Sequence, residues 1–177
     1  MGDLIVVPVI LGWHNGKVHT NASVSFYIPA GEYTEGDLAN LSKNYATLQL
    51  QGAATWMDPD SGWAFSGTLT YVTNSENQAT DYQTGDIVHF DGAATKAFGK
   101  WRVGGVAYAM YQIEGDSGSG ARLGEHKSEV YGIGPFVGYD AKFGERPVTF
   151  LLKWYHEFGA TNTFEGDTVT AAFAFKF

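Results

Sequence analysis

Apolar and polar side chains alternate along most of the chain with a period of two residues. Val148, Phe150 and Leu152 share one face, for example, while Thr149 and Lys153 lie on the other. This is the period of a β-strand with one apolar face, and no segment shows a convincing helical period. We predict nine strands, of which the first is apolar on both faces: 4–13, 21–28, 47–56, 63–74, 88–98, 101–113, 130–139, 148–158 and 168–177.

The connections between these strands alternate between two lengths. The pair Asn15-Gly16 suits a type I′ hairpin turn, and further short connections lie at 58–62, 98–100 and 142–147. Longer polar loops lie between them, and the two middle ones are rich in Gly, Ser and acids, which is typical of mobile segments: 31–44, 74–86, 114–128 and 160–167. Short turns at one end and long loops at the other predict an all-β, antiparallel up-and-down meander.

Alternation alone also fits a soluble sandwich or barrel, so further features have to decide between water and lipid. The predicted segments run to about twelve residues, enough to cross a bilayer at a tilt, which takes ~9–11. Their polar face carries small groups that suit a wet lumen. Aromatic residues gather near the short turns, as in an interfacial girdle: Trp13, Trp56, Trp63, Phe98, Trp101, Phe143 and Phe177. We therefore predict a transmembrane β-barrel in the bacterial outer membrane.

Charge and composition narrow the possible functions. The net charge of -8 disfavours a nucleic-acid partner. The acids concentrate in or beside the long loops and the cations near the short turns, and short turns of such barrels face the periplasm. The chain has no cysteine, so thiolate metal sites and disulfides are excluded. Its N-terminus lacks the features of a signal peptide, so an exported chain would have lost its targeting sequence.

The number of strands raises a question about the start of the chain. With the last strand descending to the periplasm, the first of nine also descends, whereas bacterial single-chain barrels have even strand numbers. We expect residues 1–177 to form a single β-barrel domain that lacks N-terminal strands, with Met1 inside a longer reading frame. An unusual barrel closure is the alternative.

Short motifs, in a specific order and spacing, cover essentially the whole chain: Gly2-Asp3-Leu4-Ile5-Val6, Pro8, Leu11-Gly12-Trp13-His14, Tyr27-Ile28-Pro29, Gly31, Tyr33, Asp37-Leu38-Ala39-Asn40, Asn44-Tyr45, Asp81-Tyr82, Gly85, His89-Phe90-Asp91, Ile133-Gly134-Pro135, Lys153-Trp154, Glu157-Phe158, Glu165-Gly166 and Phe177. They resemble the outer-membrane channel family described as the meta pathway of phenol degradation. The resemblance implies a twelve-stranded barrel in the lipid bilayer that takes up small hydrophobic or aromatic molecules. In such barrels, an aromatic C-terminal residue is read by the barrel assembly machinery.

The polar face supplies the candidates for a solute path. We expect these residues to line the lumen: Gln49, Gln51, Thr70, His89, Asp91, Tyr108, Lys153, Tyr155 and Glu157. Polar groups among tyrosine rings would orient a small aromatic solute, although Asp91 and Lys153 fit equally well as solvated or paired wall charges that stabilise the interior. A structural or adhesin-like barrel acting through its acidic loops is an alternative function.

Catalysis and metal binding find less support in the sequence. A lipid-modifying enzyme is disfavoured, since no Gly-x-Ser-x-Gly elbow is present and the histidines have no evident catalytic partners. His14 lies in a turn and His126 in a loop, His156 faces lipid, and His19 and His89 lie near opposite ends. We expect no catalytic residue, no cofactor and no metal.

Overall fold

The computed structural model describes residues 1–144 and 146–175, which form nine β-strands. Within this part of the chain no helix is long and apolar enough to cross a membrane. The strand bounds are β1 Leu4–Asn15, β2 Val18–Ile28, β3 Thr47–Met57, β4 Trp63–Asn74, β5 Ile87–Phe98, β6 Trp101–Gln112, β7 Glu129–Phe143, β8 Arg146–Thr161 and β9 Asp167–Phe175. All nine predicted strands are present, and β2, β7 and β8 are longer than predicted.

The strands form one sheet in their sequence order, and each is antiparallel to the next. This confirms the prediction of an all-β up-and-down meander. β1 and β9 are the outermost strands of the sheet. The β1–β2 ladder shifts register between Val6 and Val9, at Pro8, whose missing N–H group cannot donate to the ladder.

The two faces of the sheet differ in exposure in the direction opposite to that of a soluble protein. On β4, the side chains of Phe65 and Leu69 are 49% and 57% exposed, while Ala64 and Thr70 on the other face are 8% and 7% exposed. The rings therefore form an outer face, and small and polar groups form an inner face. Because water penalises such an extensive apolar surface, the outer face is suited to lipid.

The first hairpin turn is centred one residue later than the Asn15-Gly16 pair suggests. Asn15 pairs with Val18, so the two turn residues are Gly16 and Lys17, with Gly16 at a φ of 57°. A glycine at the first of two turn positions is typical of a type II′ turn rather than type I′. The shift decides which side chains of β1 and β2 lie opposite each other.

Candidate functional site

The inner face carries all nine of the predicted lumen-lining residues. Gln49 and Gln51 lie on β3 and Thr70 on β4, and the other six lie on β5, β6 and β8. The two glutamines accept hydrogen bonds from β2: Tyr27 Oη donates to Gln49 Oε1 at 3.2 Å and Ser23 Oγ to Gln51 Oε1 at 3.4 Å. The six others are linked by a chain of pairwise contacts and form what we call the central cluster: His89, Asp91, Tyr108, Lys153, Tyr155 and Glu157.

A row across three strands organises the central cluster. Tyr108 on β6 and Glu157 on β8 both pair in register with Gly132 on the strand between them. The Tyr108 ring lies over Gly132, where a Cβ atom would collide with it, and its hydroxyl donates to Glu157 Oε1 at 2.5 Å. Glycine at 132 thus lets the ring reach across β7. The sequence did not single out Gly132, although a glycine between polar strands is a usable signal for such a crossing.

Glu157 also joins the inner face to the loop between β8 and β9. Its Oε2 accepts a hydrogen bond from the backbone N–H of Gly166 at 3.0 Å, and its own N–H donates to the Gly166 carbonyl at 2.9 Å. Thr168 lies within 3.5 Å of Oε1. One carboxylate therefore fixes both a tyrosine of the wall and the last long loop.

Aromatic and charged groups continue the cluster on both sides of Tyr108. The His89 ring meets Tyr108 edge-on at 5.6 Å, and the Tyr155 ring does so at 5.2 Å. His89 Nδ1 lies 3.6 Å from Asp91 Oδ2, and Lys153 Nζ lies 5.7 Å from the centre of the Tyr155 ring. The cluster therefore combines rings with both signs of charge.

A hollow of about 330 Å³ opens beside the central cluster, with walls from six strands. Among the described residues, Lys153 forms no ion pair with a carboxylate, although Asp91 lines the same hollow. The side chain of Phe136 adds a ring that the sequence analysis did not propose as a site residue, although it lies on the inner face of β7. The lining residues are Gln51, Ser66, Thr68, Asp91, Gly92, Ala93, Val106, Phe136, Leu151, Lys153 and Tyr155.

The predicted girdle residues lie at the short-turn end of the sheet, except Phe177, which is outside the described residues. Each of the other six has an exposed side chain. Trp63 stacks on Phe65 with ring centres 5.7 Å apart, and Lys96 Nζ lies 5.2 Å from the Trp63 ring and 5.3 Å from Phe98. Rings flanked by an ammonium group suit the boundary between lipid and water.

The long loops at the other end bind one another. Asn77, in the β4–β5 loop, has a 7% exposed side chain. Its Oδ1 accepts from Asn44 Nδ2 at 2.9 Å, and its Nδ2 lies 3.2 Å from the Lys43 carbonyl and 3.3 Å from Tyr33 Oη, all in the β2–β3 loop. Asp3 extends these links to the N-terminus, since its carboxylate accepts from Gly31 N at 3.2 Å and Lys43 N at 3.0 Å.

A second buried side chain joins the β4–β5 loop to the β6–β7 loop. Asp116, in the β6–β7 loop, accepts hydrogen bonds from Tyr82 Oη, from Gln112 Nε2 and, at 3.2 Å, from Gly85 N. Burial and the Asp116 carboxylate raise the pKa of Tyr82 to about 12. We call the side chains of Asp3, Asn77 and Asp116 with their partners the loop belt. These loops, expected to be mobile, are therefore extensively cross-linked.

An apolar outer face and a polar inner face, on an up-and-down antiparallel sheet of long strands, are typical of the β-barrel class of outer-membrane folds. The chain belongs to the family described as the putative MetA-pathway of phenol degradation, whose sequence model matches residues 1–173. This confirms the resemblance seen in the sequence.

A solved structure gives the same fold. An outer membrane channel from Pseudomonas putida F1 superposes with a TM-score of 0.74 at 14% sequence identity, over 96% of this chain and 63% of the channel chain. The present chain thus spans less than two thirds of that channel's length. No curated protein matches the sequence.

Proposed function

We propose that this protein is an outer-membrane channel that admits small hydrophobic or aromatic molecules. The observation that carries the proposal is the hollow on the inner face, where Asp91 and Lys153 lie among the rings of Tyr155 and Phe136. Its volume of about 330 Å³ is at the lower end of the ~300–1,000 Å³ range of ligand sites. A hollow of this size suits a small solute.

The chemistry of the hollow favours an aromatic solute that carries a polar oxygen group. Rings of the wall offer stacking surfaces to the apolar body of the solute. The Lys153 ammonium donates hydrogen bonds, and the Asp91 carboxylate accepts them, so a hydroxyl group could satisfy both. The family, described by its relation to phenol degradation, is consistent with such a solute.

The complete barrel belongs to the same proposal. We infer twelve strands in total and a location in the outer membrane, with the terminal strand offered to the barrel assembly machinery. The support is the length of the similar channel, of which this chain covers 63%. An enzymatic function is not proposed, because the similar solved structure is that of an outer membrane channel.

Transport measurements test the proposal. The full-length protein is reconstituted into planar bilayers and into liposomes, and Asp91→Ala and Lys153→Ala are compared with wild type. We expect a changed single-channel conductance or ion selectivity in each variant and slower liposome swelling with phenol. Asp60→Ala and Lys100→Ala remove the same charges at the short-turn end and serve as matched controls.

Two outcomes would contradict it. Conductance and swelling unchanged in both inner-face variants would reject a lining role for the hollow. A folded wild-type barrel that admits no solute would instead favour the structural or adhesin-like alternative, which acts through the acidic loops.

A further inference from the structure

Two histidine side chains meet at the first hairpin, far from the central cluster. His14 is the second-last residue of β1 and His19 the second residue of β2, and the register places them directly opposite each other. Their Nδ1 atoms are 2.8 Å apart, and the ring centres are 5.0 Å apart with a 60° angle between the planes. Both Nδ1 atoms therefore face the same point.

The position of the turn creates this pair. Because Gly16 and Lys17 are the two turn residues, Asn15 pairs with Val18 and His14 with His19. A turn centred on Asn15 and Gly16 would place His14 opposite Lys17 and His19 opposite Gly12, so the two imidazoles would no longer lie directly opposite each other. The observed one-residue shift is thus the structural cause of the pairing.

Two imidazole nitrogens this close are joined either by a hydrogen bond or by a metal ion. A neutral imidazole has one N–H group and one free lone pair, so the Nδ1–H of one ring donates to the Nδ1 lone pair of the other when their tautomers differ. A metal ion bound to both Nδ1 lone pairs takes the place of that proton. Histidine is the commonest metal ligand in proteins, so the pair has the chemistry of a two-nitrogen chelate.

The two nitrogens are close enough to bind one ion together. With metal–nitrogen bonds of ~2.0–2.1 Å, two ligands at a 90° angle lie about 2.9 Å apart, and two ligands of a tetrahedral ion about 3.3 Å apart. The 2.8 Å separation of the hydrogen-bonded pair lies close to both arrangements. Square-planar and tetragonal sites with nitrogen ligands are typical of Cu²⁺ and Ni²⁺, and Cu²⁺ forms the stronger complexes. We propose that His14 and His19 chelate Cu²⁺, and Ni²⁺ or Zn²⁺ more weakly.

The surrounding charges permit a divalent ion at this position. Lys17 is the nearest cation along the chain, and its Nζ is held 2.5 Å from Asp58 and 3.8 Å from Asp60. Two carboxylates thus offset its positive charge. No group of three or more His, Asp or Glu side chains among the described residues could hold a metal, so the remaining positions on the ion belong to water. Both imidazoles must be neutral to bind, so affinity falls as the pH falls.

A copper titration of the folded chain tests the site. The protein in detergent micelles is stripped with a chelator and titrated with CuCl₂ at about neutral pH, with calorimetry and electron paramagnetic resonance as readouts. We expect one equivalent of Cu²⁺ with two coordinated imidazoles. His14→Gln and His19→Gln should each lower the affinity roughly tenfold or more, while His126→Gln and His156→Gln leave it unchanged.

Pulsed electron paramagnetic resonance on the wild type counts the imidazoles bound to Cu²⁺ directly. The test therefore does not depend on whether the variants fold. A spectrum showing one imidazole or none, or signals from the N-terminal amine instead, would overturn the proposal. So would equal copper affinity in all four variants. These readouts do not involve transport, so a failed channel assay leaves this inference intact, and the reverse also holds.

Discussion

At the long-loop end of the sheet, buried side chains join loops that are far apart in the sequence, whereas at the short-turn end each hairpin is almost self-contained. Asn77 and Asp116 are 7% and 9% exposed, and each bonds to partners more than thirty residues away. The corresponding link between turns, Lys17 to Asp58, is made by an ammonium side chain that is 47% exposed.

The difference follows from the number of backbone groups at each end that need hydrogen-bond partners. Two-residue turns satisfy their backbone within the hairpin, so little further bonding is needed. Loops of ten or more residues leave many polar backbone groups, and these require partners wherever water is excluded. The loop belt supplies them, and we expect it to contribute more to stability than the ion pairs of the turns, since buried hydrogen bonds are costlier to lose than exposed ion pairs.

Asp116→Ala is expected to lower the stability of the protein more than any other substitution considered below. Asp116→Ala leaves Tyr82 Oη, Gly85 N and Gln112 Nε2 without their acceptor. A buried donor without a partner costs about 1–3 kcal/mol, so we expect the free energy of unfolding to fall by about 3 kcal/mol. Urea unfolding in micelles, followed by tryptophan fluorescence, measures the change.

Asp60→Ala is the control for this variant, because it removes a carboxylate at the short-turn end whose side chain is 91% exposed. We expect its effect to stay within about 0.5 kcal/mol. Similar losses of unfolding free energy in Asp116→Ala and Asp60→Ala would mean that the two ends of the sheet contribute equally to stability.

Asn77→Ala should have the next largest effect. It removes the side chain that joins the β4–β5 loop to Asn44, Lys43 and Tyr33 of the β2–β3 loop. We expect a loss of about 2 kcal/mol and faster amide hydrogen exchange in both loops. Asn40→Ala is a suitable control, because the hydrogen bonds of the Asn40 side chain join it to Thr34 within its own loop. Unchanged exchange in the β2–β3 loop of Asn77→Ala would contradict the cross-link.

Strand positions and the two faces could be predicted from the sequence because alternation with period two is a local property. The same holds for the inner-face position of Asp91, Tyr108 and Lys153. The bond from Tyr108 to Glu157 was not predictable, because it depends on the register of three strands and on the space above Gly132. A pairing of histidines at the first hairpin was missed for the same reason: a one-residue shift in the turn changes every cross-strand partner.

The loops show the same limit more clearly. Composition favours mobility at 74–86 and 114–128, since it reports only local preferences. The sequence shows the motif around Asp81-Tyr82 and Gly85, but not the contacts that these residues make. In the structure Tyr82 and Gly85 donate to Asp116, and Asp81, at a φ of 55°, is in the left-handed region that Asp tolerates better than most residues.

The ionisation of Tyr82 offers a spectroscopic probe of the loop belt. Burial and the carboxylate of Asp116 raise its pKa to about 12, whereas an unperturbed tyrosine has a pKa of about 10. Since the folded pKa is the higher one, this contribution to stability is complete below about pH 10 and is lost as the pH rises through about 12. In Tyr82→Phe, we expect the ultraviolet titration to show one tyrosine fewer ionising near pH 12. A titration identical to that of wild type would contradict this assignment.

The smallest effect is expected at the short-turn end, from Lys17→Ala. The hydrogen bond from Lys17, followed by that from Ser61, lowers the pKa of Asp58 to about 2 from 3.8. Because the folded pKa is depressed, the contribution of this ion pair is present above about pH 4 and is lost as the pH falls toward about 2. In the variant, carboxyl NMR should show the pKa of Asp58 moving up toward its ordinary value, and the stability at neutral pH should change little and depend on salt. Asp58 is bound to Ser61 within its own turn, which keeps the turn folded without the lysine. A loss of stability as large as that of Asp116→Ala would show that the turns, too, are joined into one cooperative rim.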